Sequence, residues 1–205
     1  NFTNSQPQVP MAKRPEIDRW IISLLNSLIK EVDESYNDYE PTKAGRAISI
    51  FVNDHLSNWY VRLNRKRFWG GTLTEDKLAA YQTLYTCLDT VARLMAPISP
   101  FYADQLFLDL NNATGCDKSE SVHLASFPKY DESLIDKTLE ERMQLAQDIS
   151  SMTLSLRKKE NIKVRQPLKQ IMVPILAEHE QENVEAVKDL IMNEVNVKEI
   201  NFVRD

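Results

Sequence analysis

The sequence predicts a mainly α protein, a helical bundle followed by a small βαβ (α+β) unit. Three observations carry this expectation. Apolar residues recur at three- and four-residue spacing from Ile17 to Leu156. Punctuation at Pro15, Pro41, Gly70-Gly71, Pro97 and Pro100 cuts that pattern into helix-length pieces. After Pro167 the pattern changes to short runs rich in β-branched residues.

The first helix starts at Arg14-Pro15-Glu16, where the missing proline N–H costs nothing. Ile17, Trp20, Ile21, Leu24, Leu25, Leu28, Ile29 and Val32 form its apolar stripe. A second helix starts at Pro41, runs through Ile48, Val52, Leu56, Trp59 and Leu63, and stops at Gly70-Gly71. Thr72, with Glu75 three residues later, reads as the capping box of a third helix, which continues from Leu78 to Met95. Pro100 opens a short fourth helix carrying Phe101, Leu106, Phe107 and Leu110, and residues 111–130 read as a long irregular connection. A fifth helix, from about Ser133, carries Leu134, Leu139, Met143, Ala146, Ile149, Met152 and Leu156. Such stripes are buried only against one another, which makes a bundle.

Beyond Pro167, Gln170–Leu176 reads as a strand, Glu182–Glu194 as a helix and Val197–Val203 as a strand, with a right-handed crossover. Two strands make a marginal sheet by themselves, and the chain starts without methionine in a polar stretch, so both ends read as cut. The expected organisation is a linker at 1–13, a helical bundle at 14–166 and a small α/β subdomain at 167–205.

The chain is 42% hydrophobic and 27% charged with only four glycines, which is globular rather than disordered or fibrous. No apolar run approaches the roughly 18–20 residues of a membrane span, and Asn1–Lys13 lacks the apolar core of a signal peptide. Cys87 and Cys116 make neither a disulfide framework nor a CxxC zinc site. These features point to a reducing, cytoplasmic setting with no membrane partner.

The net charge of −5 argues against indiscriminate coating of nucleic acid. That average hides a segregation. Residues 57–69 hold Arg62, Arg65, Lys66 and Arg67 and no acid, while residues 154–170 hold Arg157, Lys158, Lys159, Lys163, Arg165 and Lys169 against Glu160 alone. Removing those ten bases and one acid from 25 and 30 leaves 15 against 29, a balance of −14 elsewhere.

At about 100° per residue, Val52, Leu56, Trp59 and Leu63 face the core, and Asn58, Arg62, Arg65 and Trp69 line a neighbouring stripe. Guanidinium forks beside an aromatic ring suit unpaired RNA, with phosphates taking the charge and bases stacking on the ring. The plainer alternative is a solvated basic face. In the second block the helix dipole alone accounts for Arg157–Lys159, but not for Lys163 and Arg165 beyond the helix.

No catalytic constellation is found: His55, His123 and His179 lack metal-ligand spacing, and no phosphate loop, nucleophile elbow or HExxH is present. Catalytic and metal residues are therefore expected to be absent. His55 reads as a helix-face or partly buried histidine, and Cys87 as a packed thiol.

Several of these segments resemble a known family. Pro15-Glu16-Ile17-Asp18-Arg19-Trp20-Ile21 is similar to the start of the helical domain in class I aminoacyl-tRNA synthetases. Leu56–Trp69 resembles the isoleucyl members, in the branch shared by eukaryotes, archaea and some bacteria. Met95-Ala96-Pro97-Ile98-Ser99-Pro100-Phe101 is similar to a signature of the family's bundle. Ile162-Lys163-Val164-Arg165-Gln166-Pro167-Leu168 and Asn196-Val197-Lys198-Glu199-Ile200 resemble the isoleucyl branch in particular, not its valyl and leucyl relatives. The resemblance covers the chain from about Arg14.

The resemblance implies an anticodon-binding bundle that docks the anticodon stem-loop of isoleucine tRNA, partnered by the catalytic and editing domains of a parent ligase and not by DNA. That parent would use ATP and magnesium to activate isoleucine. Its His-x-Gly-His and Lys-Met-Ser-Lys-Ser signatures have no match here, so this chain is expected to hold no cofactor and to be inactive alone. Carried onto matching positions, Asn58, Tyr60, Arg62, Arg65, Lys66, Arg67 and Trp69 are RNA candidates, with Lys158, Lys163 and Arg165 second, and Lys43 and Arg46 weaker. The rival expectation is a helical protein-interaction scaffold whose basic stripes meet an acidic partner.

Overall fold

The structure is a computed structural model that describes residues 2–3, 5–69, 71–175 and 178–203. It divides into two compact units, Asn1–Asp136 and Lys137–Asp205. The division falls one helix earlier than the expected boundary at 167, because the last long helix packs on the short helices that follow it.

In the first unit, α1 (Glu16–Asn37) follows directly on Pro15, which sits at the cap rather than inside the first turn. Trp20, Ile21, Leu25, Leu28, Ile29 and Val32 are all buried, so this stripe follows the spacing read from the sequence. Pro41 occupies the first turn of α2 (Pro41–Ile50), which lies against α1.

The expected continuous helix to Gly71 is not what forms. From Phe51 to Val61 the backbone winds as a π-helix, it breaks at Asn64, and a short α3 (Arg65–Trp69) follows. The expected stop at Gly71 has a positive φ of 38°, and Gly70 lies outside the described residues. The next helix, α4 (Glu75–Met95), is capped by Thr74, not Thr72: the Thr74 hydroxyl accepts the Lys77 N–H at 3.2 Å. Tyr36 near the end of α1 donates its hydroxyl to the Leu94 carbonyl at 2.8 Å. Pro100 opens α5 (Pro100–Thr114), and Gly115 ends it in the left-handed conformation with φ 69°. Ala92, Ala103, Phe107 and Val122 form one buried cluster across α4, α5 and the following turn.

The connection after Gly115 is tied to α4 by Arg93. Its guanidinium bonds Asp89 one turn earlier and Asp117 in the loop, each at 2.8 Å. The Arg93 hydrogen bond and the Ser119 N–H hold the Asp117 carboxyl down to about 2. A depressed carboxyl contributes stability above its unfolded value near 3.8 and loses it as pH falls toward 2. An NMR titration is expected to find Asp117 deprotonated until about pH 2, and in Arg93→Gln to find it raised but still below the ordinary range, since the Ser119 bonds remain.

In the second unit, α6 (Lys137–Lys159) starts four residues after the expected Ser133, and Glu132–Leu134 forms only a short 3-10 turn. Leu139, Met143, Ala146, Ile149, Thr153 and Arg157 are among its buried residues, at helical spacing, while Met152 and Leu156, expected inside, are exposed. Strands β1 (Ile171–Pro174) and β2 (Ile200–Val203) pair in parallel, Ile171 opposite Ile200 and Val173 opposite Phe202. Between them the expected single helix is two, α7 (Glu178–Ala186) and α8 (Lys188–Val195), separated at Val187. Val184, Val187, Ile191 and Val195 are buried at helical spacing right across that break, so periodicity reads through it.

Candidate nucleic-acid interface

The first basic block is held from below by a buried polar network. Asp18, on α1, has no solvent exposure. Arg67 grips both of its carboxylate oxygens, at 2.7 and 2.9 Å, and Tyr60 donates its hydroxyl to the same carboxylate at 2.9 Å. Arg67 also bonds the Asn64 side-chain oxygen at 2.9 Å and Asp76 at the start of α4. Burial opposes the charge of Arg67, but its hydrogen bonds to Asp18 and Asp76 outweigh that and raise the guanidinium above its ordinary value. Burial, with the Asp18 charge added, pushes the Tyr60 phenol up.

Asn64 turns the chain at this point. Its side-chain amide donates to the Tyr60 carbonyl at 2.8 Å, a second bond to an oxygen that also accepts the Asn64 backbone N–H at 3.1 Å. The chain then re-enters α3 with Phe68 inward, edge-on to Tyr60 and Tyr81 with centroids 6.2 and 5.7 Å apart.

Two of the expected RNA contacts are therefore structural. Tyr60 is 0% exposed, and the Arg67 side chain is 16% exposed with its charge met by two carboxylates. The sequence pattern counted Arg67 among free bases because Asp18 lies on another helix, 49 residues away.

The others reach solvent. In α3, Arg67 and Phe68 point inward, which leaves Arg65, Lys66 and Trp69 on the outer side, and the Trp69 ring is 82% exposed. Among the described residues, neither Arg65 nor Lys66 has a side-chain partner. Asn58 and Arg62 are exposed on the preceding segment, and Arg62 donates its Nε to the Asn58 carbonyl at 2.6 Å. The π-helical winding and the turn at Asn64 mean that Asn58, Arg62, Arg65 and Trp69 share no continuous α-helical stripe. The site is an exposed helical segment whose winding changes after Val61 and again at Asn64.

Trp59 is 8% exposed, as its place on the apolar stripe required. His55 is half-buried, edge-on to Trp20 with centroids 6.1 Å apart. Cys87 is fully buried, which pushes its thiol up. Lys43 and Arg46, on the first turns of α2, border a groove of about 240 Å³ with Leu24, Leu28, Phe51 and the acidic Glu31.

In the second unit, Lys158, Lys163 and Arg165 are exposed. Arg157, which sequence reading placed with them as a cation at a helix end, is 2% exposed. It occupies the next inward position after Ile149 and Thr153, a signal that was present in the helical spacing. Asn161 ends the helix in the left-handed conformation, φ 57°, with the Ile162 N–H returning to the Arg157 carbonyl at 2.8 Å.

What this arrangement offers is charge and a flat ring on an otherwise acidic chain, with no group of three or more His, Cys, Asp and Glu placed to hold a metal among the described residues. Charge of that sign, with a flat ring beside it, is chemically suited to a polyanion. A family profile described as the anticodon-binding domain of tRNA ligase matches residues 18–173, and the chain belongs to that family. The chain is 70% identical over 98% of its length to an isoleucine–tRNA ligase of Bacteroides thetaiotaomicron. It is 61% identical over its whole length to one of Porphyromonas gingivalis, and 44% identical over 97% to one of Dehalococcoides mccartyi. It spans 17%, 18% and 19% of those three relatives.

Proposed function

We propose that this chain is the tRNA-docking part of an isoleucine–tRNA ligase and that it holds the anticodon stem-loop of isoleucine tRNA. The observation that carries the reading is the outer side of α3, where Arg65, Lys66 and Trp69 stand exposed over a fixed ion-pair base. Phosphates would meet Arg62, Arg65 and Lys66, and an unpaired base would stack on Trp69. Asn58 would add hydrogen bonding to base or sugar. Lys158, Lys163 and Arg165 would supply further backbone contacts.

The benefit to catalysis is positional. A tRNA held at this end presents its acceptor end to a catalytic domain elsewhere in the parent, where ATP and magnesium would be used. A bundle with this role works in the cytoplasm, beside the parent's catalytic and editing domains. Chemical footprinting of isoleucine tRNA with this chain is expected to protect the anticodon stem and loop, and competing tRNAs are expected to displace it poorly. Uniform protection, with equal competition by any tRNA, would instead indicate a charge-driven scaffold.

A further inference from the structure

Arg157 is a buried arginine that has no carboxylate partner among the described residues. Its guanidinium donates to three backbone carbonyls instead: Lys163 at 3.2 Å, Gln166 at 3.0 Å through both terminal nitrogens, and Asn196 at 2.9 Å. Its Nε is buried without a partner, so the side chain is not placed for its own best solvation. Asn196, held left-handed at φ 51°, donates its side-chain amide to the Val164 carbonyl at 2.9 Å. The carbonyls of residues 163 and 166 are thus pinned by the buried Arg157, and that of residue 164 by Asn196 at the surface. Lys163, Val164 and Arg165 then project outward, and among the described residues the charged ends of Lys163 and Arg165 have no partner.

We infer that Arg157 and Asn196 are positioning residues: they lock the loop from Lys163 to Gln166 so that Lys163 and Arg165 meet a nucleic-acid backbone as one preformed contact. A free loop would lose backbone and side-chain entropy on binding, and a pinned one has lost it already. The carbonyls turned inward onto Arg157 are also kept away from approaching phosphates. The inference rests on the reading that this face binds tRNA.

Asn196→Gly tests it with little risk to folding, since glycine adopts the same left-handed backbone and only the Val164 bond is lost. Arg157→Lys is the second variant; it keeps the charge but cannot span three carbonyls. Binding of an isoleucine tRNA transcript to the 205-residue chain would be measured across a salt series. Each variant is expected to bind roughly three- to tenfold more weakly and to lower the salt slope by about one to two phosphate contacts. In a Lys163→Ala/Arg165→Ala background the Asn196→Gly change should have no further effect on binding. A purely structural role would lower the melting midpoint and leave the salt slope alone, which would overturn the inference. If instead Lys163→Ala/Arg165→Ala binds like wild type, it is the RNA reading of this face that fails.

Discussion

Asp18→Ala is expected to destabilise the first unit by about 3–5 kcal/mol, the usual cost of removing one partner of a buried ion pair. The carboxylate serves two groups at once. Without it, Arg67 keeps the half-exposed Asp76 and the neutral Asn64 side-chain oxygen, and among the described residues the Tyr60 hydroxyl is left with the Ala80 carbonyl at 3.4 Å. The loss should show as a lower denaturant midpoint with an unchanged slope. It should also loosen α3, because Arg67 is the link between that helix, α1 and the start of α4. An unchanged midpoint would mean that the ion pair is incidental and that Arg67 is available to a ligand.

Trp59→Ala is expected to cost about 3–5 kcal/mol, as the deletion of a large side chain from a packed core. Trp69→Ala, ten residues on and 82% exposed, should stay within about 0.5 kcal/mol of wild type. The contrast separates two tryptophans of one basic block by thermal melting alone. Equal midpoints for the two variants would move Trp59 to the surface and into the set of binding residues.

That contrast also marks what was legible in the sequence. Helical spacing put Trp59 inside and left Trp69 out because burial on one face follows the three- and four-residue rhythm. The rhythm reports apolar faces and little else. It missed the break at Val187, where the buried valines keep helical spacing through the turn. It put Thr72 where Thr74 caps, since Glu75 stands three residues after Thr72, at the capping-box spacing, while Lys77 stands at that distance from Thr74. The winding at Phe51–Val61 left no mark in composition, yet it redistributes Asn58 and Arg62 relative to Arg65.

Charge was the least readable quantity. Arg62, Arg65, Arg67 and Arg157 look alike in the sequence, and long-range partners sort them. Asp18 claims Arg67, and backbone carbonyls brought together by a loop and by the end of α8 claim Arg157. Family resemblance made the segment a candidate recognition surface, without telling which of its bases are structural. Only the folded arrangement divides the block into a base and a display.

On the proposed function, Arg65, Lys66 and Trp69, the outer side of α3, bind isoleucine tRNA. The direct measurement is equilibrium binding of that tRNA by the triple alanine variant at several salt concentrations, beside wild type and a second, non-cognate tRNA. The expected result is a loss of about 1–3 kcal/mol per specific contact, a salt slope reduced by about two, reduced preference for the cognate tRNA, and an unchanged melting midpoint. Wild-type affinity, slope and preference in the triple variant would contradict it.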